Sequence, residues 1–245
     1  LLLLQIAQRY EVSRSRAIVM AAGMLFGTWA WTNITVAGAW QLALGFSFVG
    51  ELGAIYFVLF DRRPLIAGAF FALAFGNRTE VLLTAPIFLY LLWRAEPDIG
   101  APKMSEARSA QISRLIKFCI LPFILGAATL VYNYVRFGSY TDFGYARIPG
   151  VLNEPWYVHG IFSPYYMPRQ IWEMLFKGWD MREHFPLPMP NGFSSSILIG
   201  SPFLLFAFRA GWRDRAVKYA AWAAVIVLCL VLWMHGNSGG WQFGY

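Results

Sequence analysis

The chain has 245 residues, 58% of them hydrophobic and only 13% charged, about half the charged share of ordinary soluble domains. That leaves too little polar surface to cover a water-soluble core, and long charge-free runs such as Ala220–Met234 require a helix that satisfies its own backbone in lipid. The formal charge of +7 falls in short clusters between apolar runs, not in the basic-aromatic array of a nucleic-acid binder.

Leu1–Ala7 predicts the end of a helix descending to the cytoplasm. With no Met, charged leader or small-residue cleavage site, it reads as the tail of an earlier helix, so 1–245 is expected to be one transmembrane domain within a longer protein. After the basic turn Arg9–Arg16, Ala17–Trp31 rises, and Trp29, Trp31 and Trp40 bracket a short outer connection in the manner of an interfacial aromatic belt. Gln41–Phe60 descends to Asp61-Arg62-Arg63-Pro64, with the proline suited to the first turn of the next helix. Leu65–Asn77 rises and Val81–Trp93 descends, joined only by Arg78-Thr79-Glu80. Both are shorter than the ~20 residues of a full crossing, which predicts a hairpin whose tip stops below the outer surface.

Residues 94–117 form a polar cytoplasmic linker ending in a surface helix, Phe118–Val135 rises, and 136–194 is a long extracytoplasmic segment. Ser195–Phe208 descends, Arg209–Val217 is cytoplasmic, and Lys218–Met234 rises to the tail His235–Tyr245. In this register the clusters Arg9–Arg16, Arg62–Arg63, Arg94–Lys117 and Arg209–Lys218 share the cytoplasmic side. Only Arg78, Arg136, Arg147, Arg169, Lys177 and Arg182 fall elsewhere. The fold class is all-α: a polytopic transmembrane bundle with a long extracytoplasmic loop containing short interfacial helices.

Glu51, Arg78 and Glu80 sit at membrane depth, where an ionisable group costs at least ~2.5–3 kcal/mol and needs a partner or a wet cavity. At ~1.5 Å per residue Arg78 lies ~20 Å above the start of its helix and Glu51 ~14 Å above the end of the preceding one. Glu51 or Glu80 is therefore expected to orient Arg78. An ion pair that only sets helix register explains the charges equally well; the bidentate fit of arginine to phosphate favours an anionic ligand.

The outer segment carries an aromatic motif around Asp142 and Tyr145, followed by a proline-rich stretch. Within it, Ile171, Trp172, Leu175 and Phe176 make an interfacial helix face; packing is the commoner role of such a stripe. His159, His184 and His235 are scattered and no His/Asp/Glu spacing marks a metal site. Cys119 and Cys229 lie inside apolar runs, as small buried hydrophobes do. No nucleophile–base pair, phosphate-cradling glycine loop or internal repeat is present.

Three stretches resemble the membrane glycosyltransferases of the C-type superfamily, which includes protein O-mannosyltransferases and lipid A aminoarabinose transferases. Ala72–Pro86 is similar to the family's helix–break–helix segment, with Arg78 on its cation and Pro86 on its following proline, while Thr79 and Glu80 depart from the commoner Gly or Pro. Phe26–Trp31 with Trp40-Gln41 is similar to its outer turn. Asn133–Tyr145 and the tail Gly239–Tyr245 look like loop motifs of bacterial members.

The resemblance implies transfer of a sugar from a polyprenyl-phosphate donor to a lipid, glycan or protein acceptor at the outer face of a bacterial inner membrane. It implies a cation near the leaving phosphate: Arg78 first, then Arg136, Arg147 and Arg169. It places the general base in the first outer loop, upstream of Leu1, and leaves a divalent metal open while calling for no other cofactor. The rival expectation is a transporter or flippase for a lipid-linked or anionic substrate, which uses the same buried charges around broken helices. A structural membrane subunit without chemistry is the third.

Overall fold

The computed structural model describes residues 1–28, 30–35, 38–94, 104–144, 147–178, 180–182, 185–189, 196–209, 211 and 214–237; for 32–34, 40, 104–107, 180–182 and 185–189 it describes the backbone alone. Among the described residues the regular structure is helical apart from one short ribbon. The elements are α1 (Leu2–Arg9), α2 (Arg14–Phe26), α3 (Ala30–Thr35), α4 (Ala39–Leu59), α5 (Pro64–Asn77), α6 (Ala85–Arg94), α7 (Met104–Phe137), α8 (Met167–Leu175), α9 (Ile197–Gly200) and α10 (Arg215–Met234). The ribbon pairs β1 (Asp180–Arg182) antiparallel with β2 (Phe185–Met189), too little sheet to alter the all-helical class.

Among the described residues three helices are long and apolar enough to cross a membrane: Gln41–Leu59, Arg108–Phe137 and Arg215–Met234, with mean hydropathies of 1.8, 2.0 and 2.1. Their surfaces suit lipid. Only 6% of the Arg215–Met234 window is buried, and α7 exposes Phe123, Ile124, Val131 and Val135. In water such bare apolar flanks would stand against solvent over most of their length, at a large hydrophobic cost; in hydrocarbon they are the expected outer surface of a membrane protein.

Four elements differ from the sequence expectation. The rise expected over 17–31 stops at Phe26, where Gly27 ends α2 and the Thr28 hydroxyl donates to the Met24 carbonyl, and α3 starts anew at Ala30. The stretch expected as one descending helix from Ser195 is instead the single turn α9 followed by a 3-10 helix over Pro202–Arg209. Pro202 brings no N–H to an α-helical ladder and holds Ser201 out of the helical region, at φ −139° and ψ 64°. Of the linker expected over 94–117, Met104–Lys117 belongs to α7, one unbroken helix of 34 residues, about 51 Å long. That same helix carries Arg136, which extends the last turn beyond the expected boundary at Val135.

The chain packs as two units. The first comprises 1–12, 46–147 and 214–225; the second comprises 13–45, 148–213 and 226–245. In the first, α5 lies between α4 and α7. Phe71 and Phe118 are fully buried and cluster with Phe88: Phe71 lies 5.2 Å from Phe88 and 5.4 Å from Phe118, and Phe88 stacks on Phe118 at 5.9 Å. Small residues let the backbones close. A side chain at Gly50 would stand 2.7 Å from both the Ala74 nitrogen and the Phe70 carbonyl oxygen, and one at Gly68 would collide with the carbonyl oxygen of Phe118. That carbonyl has a particular origin. Pro122 lies four residues on, inside α7, and has no N–H to return to it. The glycine Cα–H therefore faces the acceptor that the proline leaves open, a contact of the kind that recurs where helices approach closely.

In the second unit the segment 161–174 is fastened to the end of α10. Ser163 donates its N–H to the Met234 carbonyl at 2.8 Å, Gly236 donates to Ile161 at 2.9 Å, and Phe162 pairs with His235 as a β-bridge. The buried Gln170 amide of α8 reaches the His235 carbonyl at 2.9 Å, and the Trp233 indole donates to the Met174 sulfur at 3.2 Å.

Candidate functional site

The hairpin expected between 65 and 93 forms, with its break at Arg78. Helix α5 ends when Arg78 turns to extended backbone, φ −139° and ψ 97°, while its N–H still bonds the Ala74 carbonyl at 3.0 Å. The return arm opens as a 3-10 helix, Thr79–Thr84, before α6 takes over. Such a break leaves arginine and glutamate on one tight turn, two residues apart. The Arg78 Nε and Nη2 both lie 2.6 Å from Glu80 Oε1. With side-chain exposures of 14% and 25%, this pair is far better shielded than a surface salt bridge.

Glu80 is thus the carboxylate that orients Arg78. Glu51 meets the return arm instead: its Oε1 lies 3.4 Å from the hydroxyl of Thr84, which also donates to the Val81 carbonyl at 2.7 Å. Thr84 is almost fully buried, so helix α4 contributes its carboxylate to the base of the turn that carries Arg78. Two acidic groups and one guanidinium therefore share this part of the first unit, amid apolar helices.

The aromatic motif after α7 builds a closed loop. Asp142 Oδ1 accepts the Gly144 N–H and Oδ2 accepts Arg147 Nε, each at 2.7 Å, and Arg147 Nη2 continues to the Phe137 carbonyl at 2.6 Å. Arg147 lies over the Phe137 ring, Tyr134 stacks on Tyr140 at 4.6 Å, and the Asn133 amide bonds the Tyr140 carbonyl. The Arg147 guanidinium, then the Gly144 amide, hold the Asp142 carboxyl below its ordinary range. Asp142 and Arg147 are a clasp that closes 137–147, whereas Arg136 donates to the Tyr132 hydroxyl at 2.7 Å and lies over the Phe137 ring. Tyr145 falls outside the described residues.

Arg169 belongs to the second unit, where it donates to the Gly236 carbonyl and stands 4.0 Å from Glu173. The other oxygen, Glu173 Oε2, is buried and finds no hydrogen-bond partner among the described residues. His159 packs against Tyr165 with ring centres 4.0 Å apart, and His235 engages the Asn237 carbonyl; His184 lies outside the described residues. Among the described residues no three His, Cys, Asp or Glu side chains gather as a metal site would require. Both cysteines are partly buried and unpaired with each other.

Sequence reasoning missed one polar junction in the first unit. Arg94 Nη1 lies 2.8 Å from both oxygens of Asp214, 120 positions away, and Asp214 in turn accepts the Ala216 N–H at the start of α10. In sequence Arg94 is only one member of a basic cluster and Asp214 carries no assigned role, and pattern alone offers no signal for a pair so distant in sequence. Compared with family models, curated proteins and solved structures, the chain shows no significant match to any.

Proposed function

We propose that this chain is the membrane part of a glycosyltransferase that moves a sugar from a polyprenyl-phosphate donor to a lipid, glycan or protein acceptor at the extracytoplasmic face of a bacterial inner membrane. The observation that carries the reading is Arg78: a guanidinium at a helix break, 14% exposed, held by Glu80 among apolar helices. Such a group is costly in a membrane interior and is retained where an anion needs it. In the transfer, the bond between the sugar C1 and the donor phosphate oxygen breaks as the acceptor oxygen bonds C1, and negative charge grows on the departing lipid phosphate. Arginine donates two parallel hydrogen bonds to that phosphate and stabilises the charge. The acceptor's proton passes to a carboxylate acting as general base.

In this reading the chain is multi-pass, the basic clusters face the cytoplasm, and 136–194 lies outside. Helix α8 then rests on the membrane surface. It buries Gln170 and Met174 against the end of α10 and turns Trp172 and Phe176, 61% and 59% exposed, to the surroundings. An aromatic side turned away from the protein is what an interfacial helix presents to lipid.

The short broken pair α5–α6 also fits a transporter of a lipid-linked or anionic substrate. One assay separates the two. The full-length protein in liposomes is given a polyprenyl-phosphate sugar, and free polyprenyl phosphate is measured. The transferase releases it, and Arg78→Gln lowers turnover by about 10²–10³. Movement of intact donor across the bilayer without release rejects the transferase.

A further inference from the structure

The first unit holds a recess of ≈ 370 Å³ unrelated to the Arg78 turn. Arg62, Arg94 and Asp214 form its polar rim, and Leu59, Leu91 and Val217 form its apolar wall. Its level in the membrane follows from those residues. Leu59 is the last residue of the Gln41–Leu59 span, and Val217 is the third of Arg215–Met234, so two candidate spans end at the same recess. A span's end marks the boundary between hydrocarbon and water, where phospholipid headgroups lie.

The charges fit such a headgroup. Two guanidiniums against one carboxylate leave the rim net positive. Asp214 occupies the amino end of α10 through the Ala216 N–H, so an anion is drawn by the arginines and not by the helix terminus. Arg94 is held in place by Asp214, with both side chains about half exposed. Arg62 has φ 50°, a left-handed conformation that non-glycine residues adopt at an energetic cost and that clusters at functional sites. Tyr10 adds a hydroxyl, kept protonated by burial and then by the neighbouring Asp214 charge, both raising its pKa.

We propose that this recess binds the phosphate of an anionic phospholipid, with Arg62 and Arg94 on the phosphate oxygens and the acyl chains along the apolar wall. It rests on the membrane reading of the spans and on nothing in the transferase reading, since Arg78 and Glu80 take no part. Basic recesses between span ends are suited to this ligand class.

The test uses the full chain in phosphatidylcholine nanodiscs titrated with phosphatidylglycerol, with thermal melting as the readout. Phosphatidylglycerol is expected to raise the melting temperature of the parent protein and of Arg63→Gln, whose residue pairs with Asp61 outside the recess. For Arg62→Gln the apparent lipid affinity falls about fivefold. For Asp214→Asn it rises, an outcome that loss of folding cannot mimic. Equal responses from parent and Arg62→Gln, or equal losses from Arg62→Gln and Arg63→Gln, overturn the proposal. So does an unchanged or weaker response from Asp214→Asn. Inorganic phosphate in pure phosphatidylcholine discs is the remaining arm: an Arg62-dependent shift as large as that of the lipid would make this a soluble-phosphate site and overturn the lipid assignment.

Discussion

Replacing Glu80 with glutamine removes the charge that faces Arg78 and keeps the side chain's size. At the observed 2.6 Å separation, an effective dielectric of about 20 gives a gross attraction of about 6 kcal/mol. Desolvation offsets much of it, and breaking such a shielded pair leaves a net cost of about 3 kcal/mol, because an uncompensated guanidinium remains. Arg78→Gln is expected to cost a similar amount by orphaning Glu80. The double variant Arg78→Gln/Glu80→Gln leaves no unpaired charge and is expected to recover most of the stability in thermal and denaturant unfolding. Turnover separates a ligand role from a register role: it stays about 10²–10³ below the parent in the double variant if Arg78 contacts the departing phosphate. A double variant that regains both stability and polyprenyl-phosphate release would refute the phosphate role and leave Arg78–Glu80 as a structural pin.

Three further outcomes are expected. The Asp142 carboxyl is held low by Arg147 and Gly144, so its clasp stabilises the loop above the ordinary carboxylate pKa and is lost as pH falls through the lowered one; the Gly144 amide resonance should titrate with a midpoint below the usual carboxylate value, and a midpoint at or above it contradicts the clasp. Gly68→Val forces a methyl-bearing carbon into the Phe118 carbonyl and should destabilise the first unit by about 1–3 kcal/mol or more, read by thermal unfolding in detergent. Trp172→Ser with Phe176→Ser should leave the Gln170–His235 attachment intact yet reduce quenching of the remaining second-unit tryptophans by shallow bromolipids; unchanged quenching would count against an interfacial α8.

The features legible in sequence were those set by local chemistry. Pro64 opens α5, the apolar run after Trp40 becomes α4, and the short Arg78-Thr79-Glu80 connection becomes a tight hairpin because both arms are too apolar to leave their packing. Glu80 pairs with Arg78 across two positions, which sequence proximity alone brings within reach. Other features depended on what the chain meets in space. Glu51 and Arg78 had been matched by depth along two helices, but depth says nothing of azimuth, and Glu51 faces Thr84. The stretch at 195–208 is apolar enough for a span, yet hydropathy is blind to the Ser201–Pro202 break that splits it. Periodicity assigned Ile171, Trp172, Leu175 and Phe176 to one stripe of α8, while the opposite side is fixed by Gln170, whose partners are carbonyls 65 and 66 residues downstream.

The meeting of Gly68 with Phe118 has a mechanical consequence. Side-chain packing between helices tolerates sliding by a rotamer change, but a backbone notch does not: α5 is indexed to α7 at the one position where a proline has opened the ladder. Arg78 stands ten residues further along, at a rigid offset of about 15 Å from that index point. The height of the guanidinium is thus metered against α7, and a bend of α7 at Pro122 would carry the arginine with it. A mutation at Pro122, in contact with neither charge, would reset where Arg78 sits.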